Sequence, residues 1–234
     1  MGMIVGTGGP IALLGGTFDP VHYGHLRLAD DVRRALVLPE VRLVPARDPP
    51  HRAGPAASAA DRLAMLRLAI AEYPGLVVDE RELRRPGKSY TVLTLEDLRR
   101  EFPQRPILLL LGADAFRGLP SWHRWKELFD LAHLVVVDRP GIGLAANLPE
   151  PLLPFWRERL TDDPEVLRSR PAGSIFVQAI SPHAVAATTI RNVLAEGSSK
   201  GNTANEAVRG LLPPAVLAYI DLHHLYRSGS DAPK

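Results

Sequence analysis

The chain contains no cysteine. Disulfides, thiolate metal sites, thioredoxin-type chemistry and cysteine nucleophiles are excluded, and the absence fits a reducing compartment. Long apolar runs are also missing. Ile107–Leu111 and Leu134–Val137 are the longest strongly apolar stretches, well short of the ~18–20 residues that span a bilayer. The opening MGMIVGTGGPIALLGG has no basic residue ahead of its apolar part and is broken by glycines and Pro10, so it does not read as a secretory leader. Charge of one sign is scarce too. With 28 basic and 26 acidic residues the net charge is +2, too small a surplus to mark a nucleic-acid binder. The expectation is a soluble, cytoplasmic protein whose partners are neither nucleic acid nor membrane.

What is present is mostly average. The 234 residues are 46% hydrophobic and 23% charged, which suits one larger α/β domain with a full core and excludes gross disorder. The exception is 19 glycines and 22 prolines, about 18% of the chain against an average near 12%.

Apolar runs alternate with helical periodicity. Ile11–Leu14, Val41–Val44, Leu76–Val78, Ile107–Leu111, Leu134–Val137 and Ile175–Ile180 read as strands. Helices are predicted over Gly24–Leu36, from a capping pair Ser58/Asp61 to Tyr73, and over Thr91–Phe102, Trp122–Phe129, Thr188–Ala195 and Pro214–His223. Pro140–Pro171 reads as an irregular excursion with a short helix near Phe155–Leu160, and Gly197–Asn205 as a mobile loop. Repeated βα units imply an α/β fold with a Rossmann-like open parallel sheet and helices on both faces. The domain is expected over residues 10–227, with Met1–Gly9 and Ser228–Lys234 as frayed ends.

The most specific string is Gly15-Gly16-Thr17-Phe18-Asp19-Pro20-Val21-His22-Tyr23-Gly24-His25-Leu26, at the handover from the first strand to the first helix. Ligands of open parallel sheets bind there. Adjacent glycines let a backbone approach a bulky anion. A helix N-terminus favours phosphate, and two imidazoles add donors that can carry charge. A zinc pair is the competing reading of His22 and His25, but no third ligand stands nearby and no cysteine exists. Asp19 reads as a loop brace rather than a metal ligand. Gly6-Thr7-Gly8 precedes the strand and lacks the rest of a dinucleotide fingerprint.

Further segments stand at the ends of predicted strands or starts of predicted helices. Val44-Pro45-Ala46-Arg47-Asp48-Pro49-Pro50-His51-Arg52 follows the second strand, and its prolines pre-set a loop. Ser89-Tyr90-Thr91 opens a helix whose free N–H groups suit an anion, although helix capping alone would also explain it. Gly112-Ala113-Asp114 ends the fourth strand, where an aspartate can accept from ribose hydroxyls or cap a helix. Trp122 offers an indole face to an electron-poor ring or packs in the core. Thr188-Thr189-Ile190-Arg191 begins a helix, with a guanidinium fork suited to phosphate.

GGTFDPVHYGHL resembles the signature of the HxGH nucleotidyltransferase superfamily, and more closely that of the bacterial nicotinate-nucleotide adenylyltransferases, over about residues 10–227. The segments PARDPPHR, SYTVLTL, GAD, Trp122, Arg139-Pro140-Gly141 and ATTIR are similar to further motifs of that family. The resemblance implies a nucleotidyltransferase-type fold. It also implies transfer of the adenylyl group of ATP to nicotinate mononucleotide, giving deamido-NAD and pyrophosphate. His22, His25 and Arg191 would be catalytic. Gly15, Gly16, Thr17, Phe18, Gly24, Gly112, Asp114 and Thr188 would bind ATP. His51, Arg52, Tyr90, Thr91, Trp122 and Arg139 would bind the mononucleotide. Mg²⁺ would come mainly on the ATP, with no protein metal site. Two positions depart from the family pattern: many members have asparagine where Ala46 or Arg47 stands, and serine where Ala186 stands. Rival readings are a sibling such as pantetheine-phosphate adenylyltransferase or a cytidylyltransferase, and a non-catalytic nucleotide sensor on the same fold. A synthetase-like protein is disfavoured, because Ser198-Ser199-Lys200 has the wrong flanks for its partner motif.

Overall fold

The computed structural model describes residues 8–50, 54–138, 144–180, 185–197 and 203–227. The first half of the chain runs β1 (Ile11–Gly16), α1 (Tyr23–Ala35), β2 (Val41–Pro45), α2 (Ala59–Ile70), β3 (Leu76–Val78), α3 (Arg81–Arg84) and α4 (Thr91–Glu101). The second half runs β4 (Ile107–Gly112), α5 (Ala113–Arg117), α6 (Leu128–Leu131), β5 (His133–Asp138), α7 (Leu153–Arg159), β6 (Leu160–Thr161), α8 (Val166–Ser169), β7 (Ile175–Ala179), α9 (Ala187–Gly197), α10 (Thr203–Val208) and α11 (Pro214–Leu222). The strands form one seven-stranded sheet in the order β3-β2-β1-β4-β5-β7-β6, and each pairing is parallel.

Strand alternation explains why the central strands read as unbroken apolar runs. On β4, Leu108 and Leu110 point to one face, while Ile107, Leu109 and Leu111 point to the other. Helices cover both faces, so a parallel strand has no polar side. The first face is packed by α1, α2, α9, α10 and α11 through residues such as Leu26, Met65, Ile190 and Ile220. The second is packed by α4, α5 and α6 through Leu95, Phe116 and Phe129. His133 at the start of β5 is fully buried. Burial lowers its pKa; its Nε2–H faces the Arg170 carbonyl at 2.8 Å while Nδ1 accepts from the Ser174 amide at 3.1 Å.

The chain fills one side of the sheet from β1 to β3 and then returns, placing β4 beside β1. The β1–β4 ladder pairs Ile11 to Leu13 with Ile107 to Leu109. Beyond it the strands run on to Gly16 and Gly112. That reversal of strand order opens a crevice at the carboxyl ends, the general ligand position of such sheets.

Several elements differ from the sequence reading. Trp122–Phe129 is not one helix. Pro120 sits in a 3₁₀ turn, Leu119–Ser121, and Arg124 adopts φ 53°, so the chain re-enters helix only at α6 after a second 3₁₀ turn, Trp125–Glu127. The excursion after β5 contains α7, the two-residue β6 and α8. The short α3 and α5 were too brief to show periodicity. In the segment read as a mobile loop, Thr203–Val208 is helical, and residues 198–202 lie outside the described ones, as do the two expected frayed ends save residues 8 and 9.

One helix carries a charge into the core. In α2, capped by Ser58 accepting from the Asp61 amide at 3.1 Å, the buried face is Arg62, Met65, Leu66 and Ala69. Arg62 is 1% exposed. Its Nη1 donates to the carbonyls of Thr17 (2.8 Å) and Ala46 (2.7 Å), its Nε to Ala57 (3.3 Å) and its Nη2 to Arg47 (3.4 Å). It thereby ties the loop after β1 to the loop after β2. Replacing Arg62 with methionine leaves these buried acceptors without a donor. We expect a loss of about 3 kcal/mol or more in unfolding free energy, read from urea melts. A loss below ~1 kcal/mol would mean the carbonyls find other donors.

Candidate functional site

The string after β1 forms a tight arch over the crevice. Gly15 is exposed and a Cβ there would meet nothing within 4 Å, so it leaves the approach open. Gly16 was expected to do the same, but its reason is internal: a Cβ would stand 3.0 Å from the Phe18 ring. Phe18 is 1% exposed and holds φ 50°. Its ring lies in the core and meets the His25 ring edge-on at 5.0 Å. It supports a histidine and leaves only its backbone for a ligand.

His22 is the N-cap of α1, in extended conformation, with no side-chain capping bond. Gly24, half-buried, sits in the first turn between the two imidazoles. Their rings stack with centroids 3.7 Å apart and planes 22° apart. His22 is 5% exposed, and its Nδ1 has no hydrogen-bond partner among the described residues. Burial lowers its pKa from 6.5 to about 4. Two stacked imidazolium ions would repel, and a neutral His22 avoids that. An orphaned ring nitrogen at a helix N-terminus is a prepared place for an anion to bring a partner.

Asp19 sits under the arch, 5% exposed, ahead of a cis peptide to Pro20. Its Oδ2 accepts from the Ala56 amide at 2.8 Å, and its Oδ1 from the Ala57 amide at 3.1 Å and the Tyr226 hydroxyl at 2.8 Å. The carboxylate is used by the protein, as a brace would be. Its backbone carbonyl accepts from Arg191 Nη1 at 2.7 Å. Arg191 comes from the first turns of α9, half-buried, and its Nη2 also lies 3.4 Å from the hydroxyl of exposed Thr188. The guanidinium is thus carried to the histidine arch from more than 160 residues away in sequence. Ala186, at the expected serine position, is exposed, and its carbonyl accepts the Ile190 amide at 3.2 Å.

The other wall of the crevice is built by β4 and α4. Gly112 caps α5, and a Cβ there would also meet open space. Asp114 lies in the first turn of α5, fully exposed and paired to Arg117 at 3.1 Å. Gly112, not Asp114, is the N-cap of α5. Tyr90 caps α4 without a side-chain bond, and Thr91 is the first helical residue, so the helix start is left open. Ser89 was a candidate cap. Its Oγ instead accepts from the Arg47 amide (2.9 Å) and the Asp48 amide (3.3 Å), which fixes the loop after β2 against α4. Behind it, Glu82 is buried and accepts the Thr94 hydroxyl at 2.6 Å. Burial pushes its carboxyl up, opposed by the Thr94 and Ser89 hydroxyls and Arg85. Trp122 is half-buried against the second core. The next residue, His123, lies over Tyr90 with centroids 4.3 Å apart.

Two groups of residues therefore stand at the carboxyl end of the sheet. His22, His25, Arg191 and Thr188 gather at the arch, while Tyr90, Thr91 and Trp122 stand on the α4 side. His51, Arg52 and Arg139 lie outside the described residues. Sequence reasoning missed Arg62, Glu82, Tyr226 and His123. Arg62 had a signal, since it falls on the apolar face of α2; Tyr226 had none. Among the described residues no group of three or more His, Asp or Glu could hold a metal, and no helix is long and apolar enough to cross a membrane.

The cytidylyltransferase-like family model matches residues 13–193. A protein of Halorhodospira halophila named probable nicotinate-nucleotide adenylyltransferase is 52% identical over 206 residues, which cover 88% of this chain and 90% of that one. A protein of Laribacter hongkongensis with the same name is 51% identical over 223 residues, covering 95% and 96%. Among solved structures, Plasmodium falciparum nicotinic acid mononucleotide adenylyltransferase complexed with NaAD shares the fold with a TM-score of 0.69 at 17% identity, over 93% of this chain and 97% of that one.

The lowered pKa of His22 has a stability consequence. The unfolded chain takes up this proton near pH 6.5 and the folded one only near 4, so acid favours unfolding. His133, also lowered by burial, acts in the same direction. Stability is expected to be full above pH 6.5 and to fall as the pH drops to about 4, with His22 contributing about 3 kcal/mol. Urea midpoints across this range should flatten in His22→Gln. An unchanged slope would show that His22 is not the titrating group.

Proposed function

The chain belongs to the cytidylyltransferase-like family, among its nicotinate-nucleotide adenylyltransferases, and from that premise we propose how its site performs the reaction. The protein transfers the adenylyl group of ATP to nicotinate mononucleotide, releasing pyrophosphate and forming deamido-NAD. The mononucleotide's phosphate oxygen attacks the α-phosphorus in line, and the bond from that phosphorus to the bridging oxygen of the leaving pyrophosphate breaks. A phosphate monoester is already an anionic nucleophile near neutral pH, so the protein needs no general base and no covalent intermediate. Its task is to position the reactants and stabilise charge.

The observation that carries this reading is the stacked His22–His25 pair at the N-terminus of α1, with Arg191 held beside it on the Asp19 carbonyl. The two imidazoles and the start of α1 at Gly24 take the phosphates of ATP, which lie along the backbone from exposed Gly15 through Gly16 to Thr17. Arg191 and Thr188 meet them from α9 and stabilise the charge that builds as pyrophosphate departs. Gly112 leaves room at the end of β4, and exposed Asp114 accepts from the ribose of the adenosine. On the opposite wall the α4 N-terminus at Thr91, beside Tyr90, takes the nicotinate carboxylate, and Trp122 lies against the ring. His51, Arg52 and Arg139 complete the mononucleotide side by their motif positions. A Mg²⁺ ion would arrive on the triphosphate and neutralise part of its charge. The donor set fits that arrangement, since Asp19 is already occupied and Mg²⁺ needs few protein ligands. The reaction and the cysteine-free composition support a cytoplasmic enzyme acting on small molecules, without nucleic acid or membrane.

Purified protein is expected to release pyrophosphate from ATP with nicotinate mononucleotide, and far less with nicotinamide mononucleotide or 4′-phosphopantetheine. His22→Ala and His25→Ala should each lower turnover about a hundredfold or more at saturating ATP and Mg²⁺. Near-normal turnover in both would refute the assignment of the histidines. Chelation of Mg²⁺ should abolish turnover and added Mg²⁺ restore it, while metal analysis of the dialysed protein finds no stoichiometric ion. A tightly held ion after dialysis would overturn the substrate-borne role.

A further inference from the structure

The C-terminal turn after α11 enters the active-site arch. Two residues there, His224 and Tyr226, hold left-handed backbone at φ 51° and φ 62°. Side chains with a Cβ adopt that conformation at a cost, and it persists only where the surroundings fix it. The result is a half-buried Tyr226 whose hydroxyl donates to Asp19 Oδ1 at 2.8 Å. Burial and the neighbouring Asp19 charge raise the phenol's pKa, so it remains a donor at neutral pH. No step of the adenylyl transfer uses this tyrosine.

Its effect follows from what else could bind Asp19. Arg191 donates to the neutral carbonyl of Asp19 at 2.7 Å, while the same Nη1 stands 3.9 Å from the carboxylate oxygen Oδ2. A guanidinium beside a carboxylate closes into a charge-assisted, bidentate pair when the carboxylate has free lone pairs. Such a pair would neutralise Arg191 and turn its fork away from phosphate. The Ala57 amide and the Tyr226 hydroxyl fill Oδ1, the oxygen a bidentate pair would also need, while the Ala56 amide takes one position on Oδ2, and the Arg62 charge lies close by. Among the described residues that hydrogen-bond the carboxylate, Tyr226 alone does so through a side chain, and it can be removed without touching the backbone.

We propose that Tyr226 is a positioning residue for the adenylyl transfer: by donating to Asp19 it keeps that carboxylate from capturing Arg191, and so holds the guanidinium charged and open toward the phosphates. The inference rests on the role given above to Arg191. It also makes the turn after α11 part of the active site.

The test is a double-mutant cycle with Tyr226→Phe and Arg191→Ala on the full chain, following kcat, both KM values and the melting temperature. Tyr226→Phe should lower kcat about tenfold at near-unchanged KM for nicotinate mononucleotide, in a protein that melts within a few degrees of the parent. The double variant should be no slower than Arg191→Ala alone, because the tyrosine acts through the arginine. Unchanged kcat in Tyr226→Phe overturns the proposal, and so does a loss that persists in full on the Arg191→Ala background. If Arg191→Ala keeps normal kcat, the role of Arg191 fails instead, and a slow Tyr226→Phe would then have to act by another route, which also overturns the proposal. Should Tyr226→Phe melt too low to assay, Tyr226→Trp, which keeps an aromatic body and offers an N–H donor at a different reach, should show the same coupling to Arg191. Additive losses there would sink the idea.

Discussion

The buried guanidinium of Arg62 is the constraint on which the rest of the site depends. A charge that is 1% exposed must be matched by acceptors, and this one is matched by backbone carbonyls of the loops after β1 and β2. Asp19 does the complementary work, since its carboxylate satisfies the amides of Ala56 and Ala57. One side chain of each sign stitches together loops that a parallel sheet leaves unpaired at its carboxyl end. Glycines give the arch its shape, but glycine-rich backbone has no rigidity of its own. The buried pair provides it, and electrostatic stabilisation of a transition state requires donors fixed before the substrate arrives.

The same economy governs the histidines. His22 is buried enough for its pKa to drop to about 4, which in solution chemistry would be a poor cation. At the N-terminus of α1 the neutral ring is the better device, because it donates a hydrogen bond without a fixed charge that would repel stacked His25. A bound triphosphate brings several negative charges to this helix end and reverses the balance that burial set. The site is thus receptive to charge that arrives with the substrate and is not strained by carrying that charge when empty. Arg191, held on a neutral carbonyl, supplies a permanent positive charge to the arch.

Much of this was legible in the sequence. Period and punctuation placed β3 to the residue and β1, β2, β4, β5 and β7 to within about two residues, because buried parallel strands are the plainest apolar runs. The HxGH string marked the arch at the start of α1, since glycine, histidine and a helix start are local features. Three things were hidden for physical reasons. The Trp122–Phe129 stretch has helical composition, but Pro120 and the left-handed Arg124 break it into turns. The reason for Gly16 lies in a ring two residues on, and that depends on a φ angle. Arg62 and Tyr226 act through contacts with residues 45 and 207 positions away, which no window of sequence can reveal. The second set of errors is therefore one of distance rather than of chemistry.

The two walls of the crevice hang from different cores. The arch, α1 and α9 rest on the face of the sheet packed by Leu26, Val32 and Ile190. Tyr90, Trp122 and α4 rest on the opposite face, among Leu95, Phe116 and Phe129. They meet where β1 and β4 part and again where Ser89 holds the loop after β2 that Arg62 ties to the arch. A change that reshapes the α4 wall need not disturb the packing of the α1 arch, because the two rest on different clusters of buried residues. Under the function proposed, acceptor specificity can shift on the α4 side while adenylyl transfer stays intact on the α1 side. That separation is a physical reason why one nucleotidyl-transferring scaffold serves enzymes with different acceptors, and it follows from the position of the strand reversal in the sheet.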